Sequence, residues 1–291
     1  MIYTIKPEVK RPDVALYKDI VYKNAFNSFR QCNCGLTLDY IRPYYELQKW
    51  EKVPLLIWAE GGAWRTSPPA RRIPELSYYA YHGYAVASVQ YRVSSQSLWP
   101  AQIEDLKTAI RYLKAHADQL GNDTERVAIA GESAGAHLAA MAALTGGKEV
   151  FSTSEWNEVS DEVQAAICWY CPGDFTVAKE QADISGYVCD PRNLLVNEKM
   201  GENPQKEAEV SPVNYVDRTA PPFLLFHGSK DPLVPAAQSR SLYEKLVENE
   251  VEADYYLLED AGHASIEFSQ EEIQTIMLKF LDRHLKGGET A

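Results

Sequence analysis

The chain has 291 residues, of which 45% are hydrophobic and 24% charged, and its formal net charge is −12 at pH 7. This composition supports a sizeable core and argues against a disordered chain, while the acidic balance argues against nucleic acid and anionic membrane as partners. The sequence has no apolar run typical of a signal peptide or a membrane span, so we expect a soluble, cytoplasmic protein.

Strands and helices are predicted to alternate along the chain. The apolar patterns predict strands over 19–24, 35–42, 53–59, 84–91, 126–130, 163–170, 222–227 and 253–259. Helical patterns fall near 72–82, 101–118, 133–144, 236–249 and 269–286. This alternation predicts an α/β fold with a mostly parallel eight-stranded sheet flanked by helices and an antiparallel edge. We expect a single domain over 1–291.

One segment departs from the alternation. Residues 174–215 join two predicted strands through about forty residues of weak periodicity, which exceeds the usual loop length. The segment starts at the carboxyl end of a strand, where open α/β sheets bind ligands. It is therefore predicted to be a cap or lid, with an inert surface excursion as the alternative.

The cysteines do not indicate a metal site. Cys168 and Cys171 lie in an expected strand, where residues three apart point to opposite faces. Cys32 and Cys34 can share a face, but no second Cys/His pair completes a zinc set. Buried or unreactive thiols are the prediction.

The stretch "AIAGESAGAHLAAM", residues 128–141, places Ser133 between Gly131 and Gly135. By itself a Gly-x-Ser-x-Gly motif is only suggestive. Here a predicted strand runs into it and a predicted helix of small residues follows it, which is the setting of a nucleophile elbow. Glycines at these places allow strand and helix to approach closely, so Ser133 is the predicted nucleophile.

A serine nucleophile needs a base and an acid that orients the base. His263, in "LLEDAGHAS" after the last strand, is the predicted base; His137 is expected to point along its helix and His227 to support a turn. The predicted acid is Asp231 in "SKDPLVP", with Asp174 in "CPGDF" as its rival. The remaining histidines are expected on or at the ends of helices: His82, His116 and His284.

An oxyanion hole is the last part of the predicted site. "IWAEGGAW" follows an apolar strand, and its glycines let backbone N–H groups turn toward a reacting carbonyl. The amides of Gly62, Ala63 and Ala134 are the predicted donors.

These motifs resemble the α/β-hydrolase superfamily, in particular its lipase and esterase branch. Within that branch, "LTLDYIRP", "EGGAW", "GESAGAHLAA", "SPVNYV", "HGSKDPLVP" and "EDAGHA" resemble bacterial carbohydrate esterases, a group that includes feruloyl and acetyl-xylan esterases. The resemblance covers roughly residues 35–285 and places the family's triad on Ser133, Asp231 and His263. The sequence departs from the family pattern at Glu60, where a histidine is usual, and at Ala63, where a glycine is frequent.

The resemblance implies a serine carboxylesterase of short, acetyl-type acyl esters, acting through an acyl-enzyme without a metal or organic cofactor. Its expected partner is a small-molecule or oligosaccharide ester. Trp64, Tyr91, Trp99 and Trp169 are predicted near the loop edge, where they can stack on a sugar or an aromatic acid or simply pack. Arylformamidase and serine peptidase are the alternatives within the superfamily, and a non-catalytic ligand receptor is the alternative from another class. The oligomeric state is left open.

Glu60 is predicted to turn away from the oxyanion position. A carboxylate about 5 Å from the oxyanion would repel it by roughly 3 kcal/mol at an effective dielectric near 20. Its expected partners are the loop backbone or Arg65. Contact of Glu60 with a polar part of the substrate is the alternative.

Overall fold

A single sheet organises the chain in the computed structural model, which describes residues 1–44, 52–177 and 190–287. Its strands are β1 (Asp13–Asn27), β2 (Cys32–Tyr44), β3 (Val53–Ala59), β4 (Ala85–Val89), β5 (Asn122–Glu132), β6 (Ala165–Trp169), β7 (Phe223–Gly228) and β8 (Ala253–Leu258). Their order is β1-β2-β4-β3-β5-β6-β7-β8. The helices are α1 (Ile73–Tyr81), α2 (Ala101–Ala115), α3 (Ala117–Leu120), α4 (Ala134–Thr145), α5 (Pro191–Val196), α6 (Pro204–Glu209), α7 (Ala236–Glu248) and α8 (Glu271–Leu285).

The sheet is parallel from β4 through β8 and antiparallel at its β1–β2 edge, as predicted. β2 also pairs antiparallel with β4. The first strand is longer than the predicted 19–24, since it pairs with β2 along its whole length. Register shifts between Tyr17 and Ile20 and between Val21 and Lys23 interrupt its alternation. A bulge of this kind interrupts the alternation of buried and exposed side chains, so a period-two pattern does not reveal the whole strand.

Helices cover both faces of the central strands. Along β5, Val127 and Ile129 belong to the core on the side of α2 and α4, whereas Ala128 and Ala130 belong to the core on the side of α1 and α8. Both faces of the central strands are therefore buried against helices, which explains the nearly continuous apolar runs in the sequence. The α4 helix is buried along its length, so its small residues let it lie directly on the sheet.

The predicted cap segment contains short helices. Its described part holds α5, α6 and a 3₁₀ turn at Pro212–Tyr215, while residues 178–189 lie outside the described residues. The side chain of Asp190 accepts a hydrogen bond from the Arg192 amide and so caps α5. The action of this segment as a lid stays a prediction.

The opposite-face argument for Cys168 and Cys171 is wrong. β6 ends at Trp169, so the strand alternation does not continue to Cys171, and both thiols lie in the same core cluster. Burial raises the pKa of the Cys171 thiol well above its ordinary value. Cys32 is exposed and Cys34 partly buried.

Candidate active site

Ser133 occupies a strained turn between β5 and α4. Its φ is +53°, a left-handed value that is unusual for a residue with a side chain. A Cβ placed on Gly131 would lie 2.6 Å from the Gly135 carbonyl oxygen, and a Cβ on Gly135 would overlap the Ala59 carbonyl. The two glycines therefore permit the close contact of helix and sheet on which this turn depends.

The structure brings Ser133, His263 and Asp231 together from the ends of three strands. The Ser133 Oγ lies 3.0 Å from His263 Nε2, and His263 Nδ1 lies 2.7 Å from Asp231 Oδ2. With its hydrogen on Nδ1, the imidazole can donate to Asp231 and accept the hydroxyl proton of Ser133. This arrangement can activate the serine for attack on a carbonyl carbon.

The loop after β7 holds Asp231 as a carboxylate. Its Oδ1 accepts hydrogen bonds from the amides of Leu233 and Val234, both at 2.9 Å. Burial by itself raises the pKa of Asp231, but hydrogen bonds from His227 and His263 outweigh it and hold this pKa well below its ordinary range. The group therefore stays ionised and can stabilise an imidazolium.

The rival acid, Asp174, has other partners. Its Oδ1 accepts from the Thr176 amide and hydroxyl, and its Oδ2 accepts from Ser241 Oγ at 2.8 Å. These bonds brace the loop after β6 and tie it to α7. The geometry therefore favours Asp231.

The neighbouring histidines have structural contacts. His137 is buried; it accepts a 3.2 Å hydrogen bond from Trp64 Nε1 and lies 2.7 Å from the Val210 carbonyl oxygen. Burial lowers the pKa of His137 to about 4, so this imidazole is neutral at pH 7. His227 contacts Ser239 and the Val234 carbonyl, supporting the turn as expected.

The loop after β3 lies against the nucleophile elbow. Gly62, Ala63 and Trp64 have φ values of +141°, +55° and +54°, and the turn is closed by the Arg65 amide on the Gly62 carbonyl at 2.9 Å. Successive left-handed residues turn backbone N–H groups toward one side. The Ala134 amide starts α4, where N–H groups have no intrahelical acceptor. These amides are the candidates for an oxyanion hole.

A cavity of about 50 Å³ opens beside Ser133 and His263. Its remaining walls are Ala63, Trp64, Pro172, Asp190, Pro191, Arg192, Leu233, Val234 and Gln238. Trp64 thus lines the cavity, and its contact with a substrate stays a prediction. The sequence did not indicate Asp190, Arg192 or Gln238 as lining residues. Gln238 follows the Asp231 motif by only seven positions, which was a usable signal; the weakly periodic segment around Asp190 offered none.

Two predicted substrate contacts, Tyr91 and Trp99, are wrong. Tyr91 is fully buried, and its hydroxyl donates to the Glu60 carbonyl oxygen at 2.8 Å, so its ring supports the loop from below. Trp99 donates from Nε1 to Glu209 at 2.9 Å and lines a different groove. Trp169 is also buried and packs edge-on against Trp58 with ring centroids 5.3 Å apart. All three rings are part of the hydrophobic core.

Glu60 is fully buried beneath the loop and does not line the cavity, so the alternative of a substrate contact is wrong. Its Oε1 accepts from the Arg72 amide at 3.2 Å, a backbone partner from the start of α1 in place of Arg65. Burial, reinforced by the nearby Glu132 carboxylate, raises the pKa of Glu60 to about 8. The carboxyl therefore carries its proton at neutral pH.

A buried polar network of Arg72, Glu132 and Tyr170 lies next to the nucleophile and the base. Glu132, the residue before Ser133, accepts from Arg72 Nη2 at 2.5 Å and from the Tyr170 hydroxyl. The Tyr170 ring packs against the His263 ring with centroids 4.6 Å apart. Tyr170 thus contacts His263 and Glu132, the residue before Ser133, a role that its place at the end of a strand did not reveal.

Comparison with known proteins identifies the family. The BD-FAE family model matches residues 42–246. The chain belongs to the BD-FAE family. Esterase LipC of Mycobacterium tuberculosis is 35% identical over 213 residues, covering 72% of this BD-FAE chain and 52% of LipC. The probable carboxylic ester hydrolase LipM of the same organism is 34% identical over 194 residues, covering 66% of this chain and 44% of LipM. The chain spans about half the length of the curated relatives it matches.

Solved structures show the same fold. A truncated carbohydrate esterase from gut microbiota has a TM-score of 0.79 at 24% identity, with 96% of this BD-FAE chain and 99% of the other covered. With the eight-stranded sheet, this likeness confirms the predicted α/β-hydrolase fold. In the described part of the chain, no helix is long and apolar enough to cross a membrane. Within the same residues, no group of three or more His, Cys, Asp or Glu side chains is placed to hold a metal ion.

Proposed function

We propose that this chain is a serine carboxylesterase that cleaves short, acetyl-type acyl esters of a carbohydrate or similar polyol. The observation that carries the proposal is the continuous hydrogen-bonded series Ser133–His263–Asp231 at the edge of a small cavity. Relatives named esterase or carboxylic ester hydrolase support the same reaction class.

In the proposed reaction, Ser133 Oγ attacks the ester carbonyl carbon while His263 Nε2 takes the hydroxyl proton. Asp231 stabilises the imidazolium, and the amides of Gly62, Ala63 and Ala134 stabilise the tetrahedral oxyanion. His263 then gives the proton to the departing alcohol, which leaves an acyl group on Ser133. Water, deprotonated by His263, then attacks the acyl carbon. The bond from this carbon to Ser133 Oγ breaks, His263 returns the proton to Oγ, and the acid leaves.

The size of the cavity supports a short acyl group. A cavity needs roughly 10–15 Å³ to hold one water molecule, so a volume of about 50 Å³ beside Ser133 accommodates a small acyl group. Trp64, Leu233 and Val234 give part of its wall an apolar character suited to a methyl or ethyl group.

In the same proposal, segment 174–215 is a cap on a single hydrolase domain. Asp190, Pro191 and Arg192 line the cavity beside Ser133, which supports this role over an inert surface excursion.

A hydrolysis panel tests the proposal. The panel compares acetyl, butyryl and octanoyl esters of p-nitrophenol with acetylated sugars, N-formylkynurenine and peptide arylamides. We expect acetyl esters to be cleaved with the highest kcat/KM and no turnover above background with Ser133→Ala. Preference for the octanoyl ester would contradict the short acyl group, and faster cleavage of an amide or formamide would contradict the reaction class.

A further inference from the structure

One buried histidine joins the helix of the nucleophile to the oxyanion loop, the turn formed by Gly62, Ala63 and Trp64. His137 lies one turn after Ser133 in α4, and its amide donates to the Ser133 carbonyl oxygen at 3.0 Å. The His137 ring accepts a 3.2 Å hydrogen bond from Trp64 Nε1, and the residue is fully buried. A single residue therefore contacts both the proposed nucleophile and the turn that carries two of the proposed oxyanion donors.

The hydrogen of the His137 ring has a fixed place. Burial lowers the pKa of His137 and keeps the imidazole uncharged at pH 7. The carbonyl oxygen of Val210, at the end of α6, lies 2.7 Å from Nε2 and only accepts, so Nε2 carries the hydrogen. Nδ1 then has a free lone pair, and the Trp64 indole, which only donates, donates to it. Both ring nitrogens thus have suitable partners.

The oxyanion loop depends on contacts of this kind because its backbone is strained. Ala63 and Trp64 have left-handed φ values of +55° and +54°. Such values persist in residues with side chains only where surrounding contacts fix them. Ser94 holds the Trp64 carbonyl oxygen through its amide at 2.8 Å and its hydroxyl at 3.1 Å. His137 holds the indole, so both the backbone and the side chain of Trp64 are fixed.

Aromatic rings hold the imidazole in place. The ring centroids of Trp64, Trp99 and Phe175 lie 5.3, 5.5 and 5.3 Å from that of His137. A side chain in this position has to be flat, has to accept at one edge and has to donate at the other. A neutral imidazole meets all three requirements. The position of the Trp64 indole therefore follows the position of α4.

We propose that His137 is a positioning residue that fixes the oxyanion loop relative to Ser133 through its hydrogen bond with Trp64. This inference rests on the proposed esterase function. Oxyanion donors act when they lie about 2.7–3.1 Å from the position of the oxyanion. A misplacement of about 1 Å can cost roughly a hundredfold in rate. His137 therefore acts on the transition state and has little effect on the binding of the intact ester.

Asparagine and glutamine at position 137 separate the two hydrogen bonds of the imidazole. The amide oxygen of asparagine is attached to Cγ, as Nδ1 is, so His137→Asn keeps an acceptor for Trp64 and loses the contact with Val210. The amide nitrogen of glutamine is one bond further out, as Nε2 is. His137→Gln therefore keeps a donor for Val210 and loses the acceptor for Trp64. Both variants lose the flat ring, so each controls for the packing defect of the other.

The expected effect is on kcat. On p-nitrophenyl acetate, kcat and kcat/KM of His137→Gln should fall equally, by about tenfold to a hundredfold, because an interaction made in the transition state is weakened. His137→Asn should have a kcat about tenfold above that of His137→Gln at a similar Tm, since it keeps the acceptor. In a Trp64→Phe background, which lacks the indole donor, His137→Gln should lower kcat no further.

A measurement on the wild type does not depend on how the variants fold. The ¹⁵N chemical shifts of the His137 ring at pH 7 should be those of a neutral imidazole with its hydrogen on Nε2. A hydrogen on Nδ1 prevents the ring from accepting the Trp64 N–H and would overturn the proposal.

The outcomes keep the two proposals apart. The positioning role is wrong if His137→Asn and His137→Gln have the same kcat, or if KM rises while kcat stays constant. It is also wrong if the losses of His137→Gln and Trp64→Phe add in the double variant. In each of these cases the esterase proposal stands. If the wild type does not cleave p-nitrophenyl acetate in a Ser133-dependent way, the esterase proposal itself fails.

Discussion

The backbone N–H of Arg72 donates to Glu60 Oε1 across 3.2 Å and fixes a fully buried carboxyl group beneath the loop that precedes the site. Arg72 also binds Glu132 through its side chain, so a single residue at the start of α1 contacts both acids. The second oxygen of Glu60, Oε2, has no hydrogen-bond partner among the described residues. A buried oxygen without a partner favours the protonated carboxyl.

The pH dependence of stability follows from this burial. The folded protein raises the pKa of Glu60 from 4.5 to about 8, so folding favours the proton-bound form. The contribution of protonated Glu60 to the free energy of unfolding is fully present below the pKa of Glu60 in the unfolded chain. It is lost as the pH rises through the pKa of Glu60 in the folded protein, at a slope of about 1.4 kcal/mol per pH unit. Glu60→Gln, which resembles the protonated acid, should flatten the fall in unfolding free energy above about pH 5. Urea titrations at several pH values measure this slope. Parallel curves for the variant and the wild type would show that Glu60 does not titrate in this range.

Glu60→Gln also tests the placement of the loop. Because the carboxyl lies away from the cavity and is neutral at pH 7, we expect kcat on a small acetyl ester to stay within about threefold of wild type. A rise on the order of a hundredfold would instead mean that a charged Glu60 faces the oxyanion.

Tyr170→Phe should lower kcat without abolishing it. The substitution keeps the ring against His263 and removes the hydroxyl that donates to Glu132. Loss of one hydrogen bond to a buried carboxylate is worth about 1.5–3 kcal/mol, part of which we expect to appear as a roughly tenfold lower kcat. Tyr256→Phe on β8, an exposed position, is the control and should behave as wild type. If Tyr170→Phe keeps the wild-type kcat, the Tyr170 hydroxyl does not help to position the catalytic residues.

Ser133→Ala and His263→Ala should each reduce kcat by about three or more orders of magnitude. Alanine at either position breaks the hydrogen bond through which the hydroxyl proton passes. Steady-state kinetics with p-nitrophenyl acetate measure the loss. The double variant should be no worse than either single variant, because the two residues act as a unit. Additive losses would mean that they act separately.

Asp231→Asn and Asp174→Asn decide which acid orients the base. Asp231 lies 2.7 Å from His263, whereas Asp174 contacts Thr176 and Ser241. We therefore expect a loss of about 10³ to 10⁴ in kcat for Asp231→Asn, which stabilises the wrong imidazole tautomer. Asp174→Asn should change kcat by less than about tenfold. The opposite ranking would reassign the acid.

The sequence by itself determined the parts that local pattern encodes. Apolar patterns predicted the eight strands and the five longest helices, but not the short helices α3, α5 and α6. The carboxyl ends of β5 and β7 and the loop after β8 carry Ser133, Asp231 and His263. Since parallel strands end at one edge of a sheet, their motifs converge there whatever the details of packing. The glycines around Ser133 likewise predicted that α4 lies close to the sheet, and the structure has this close contact.

Only the tertiary structure decided which polar and aromatic side chains face the cavity. Glu60 lies two positions before Gly62, yet it is fully buried, whereas Arg192 comes from a segment without a recognised motif and lines the cavity. Periodicity reports the apolar face of a strand or helix, but a loop residue has no such period. The direction of a loop side chain is set by contacts with residues from other parts of the chain, such as the hydrogen bond from the Arg72 amide to Glu60. Those contacts exist only after the chain has folded.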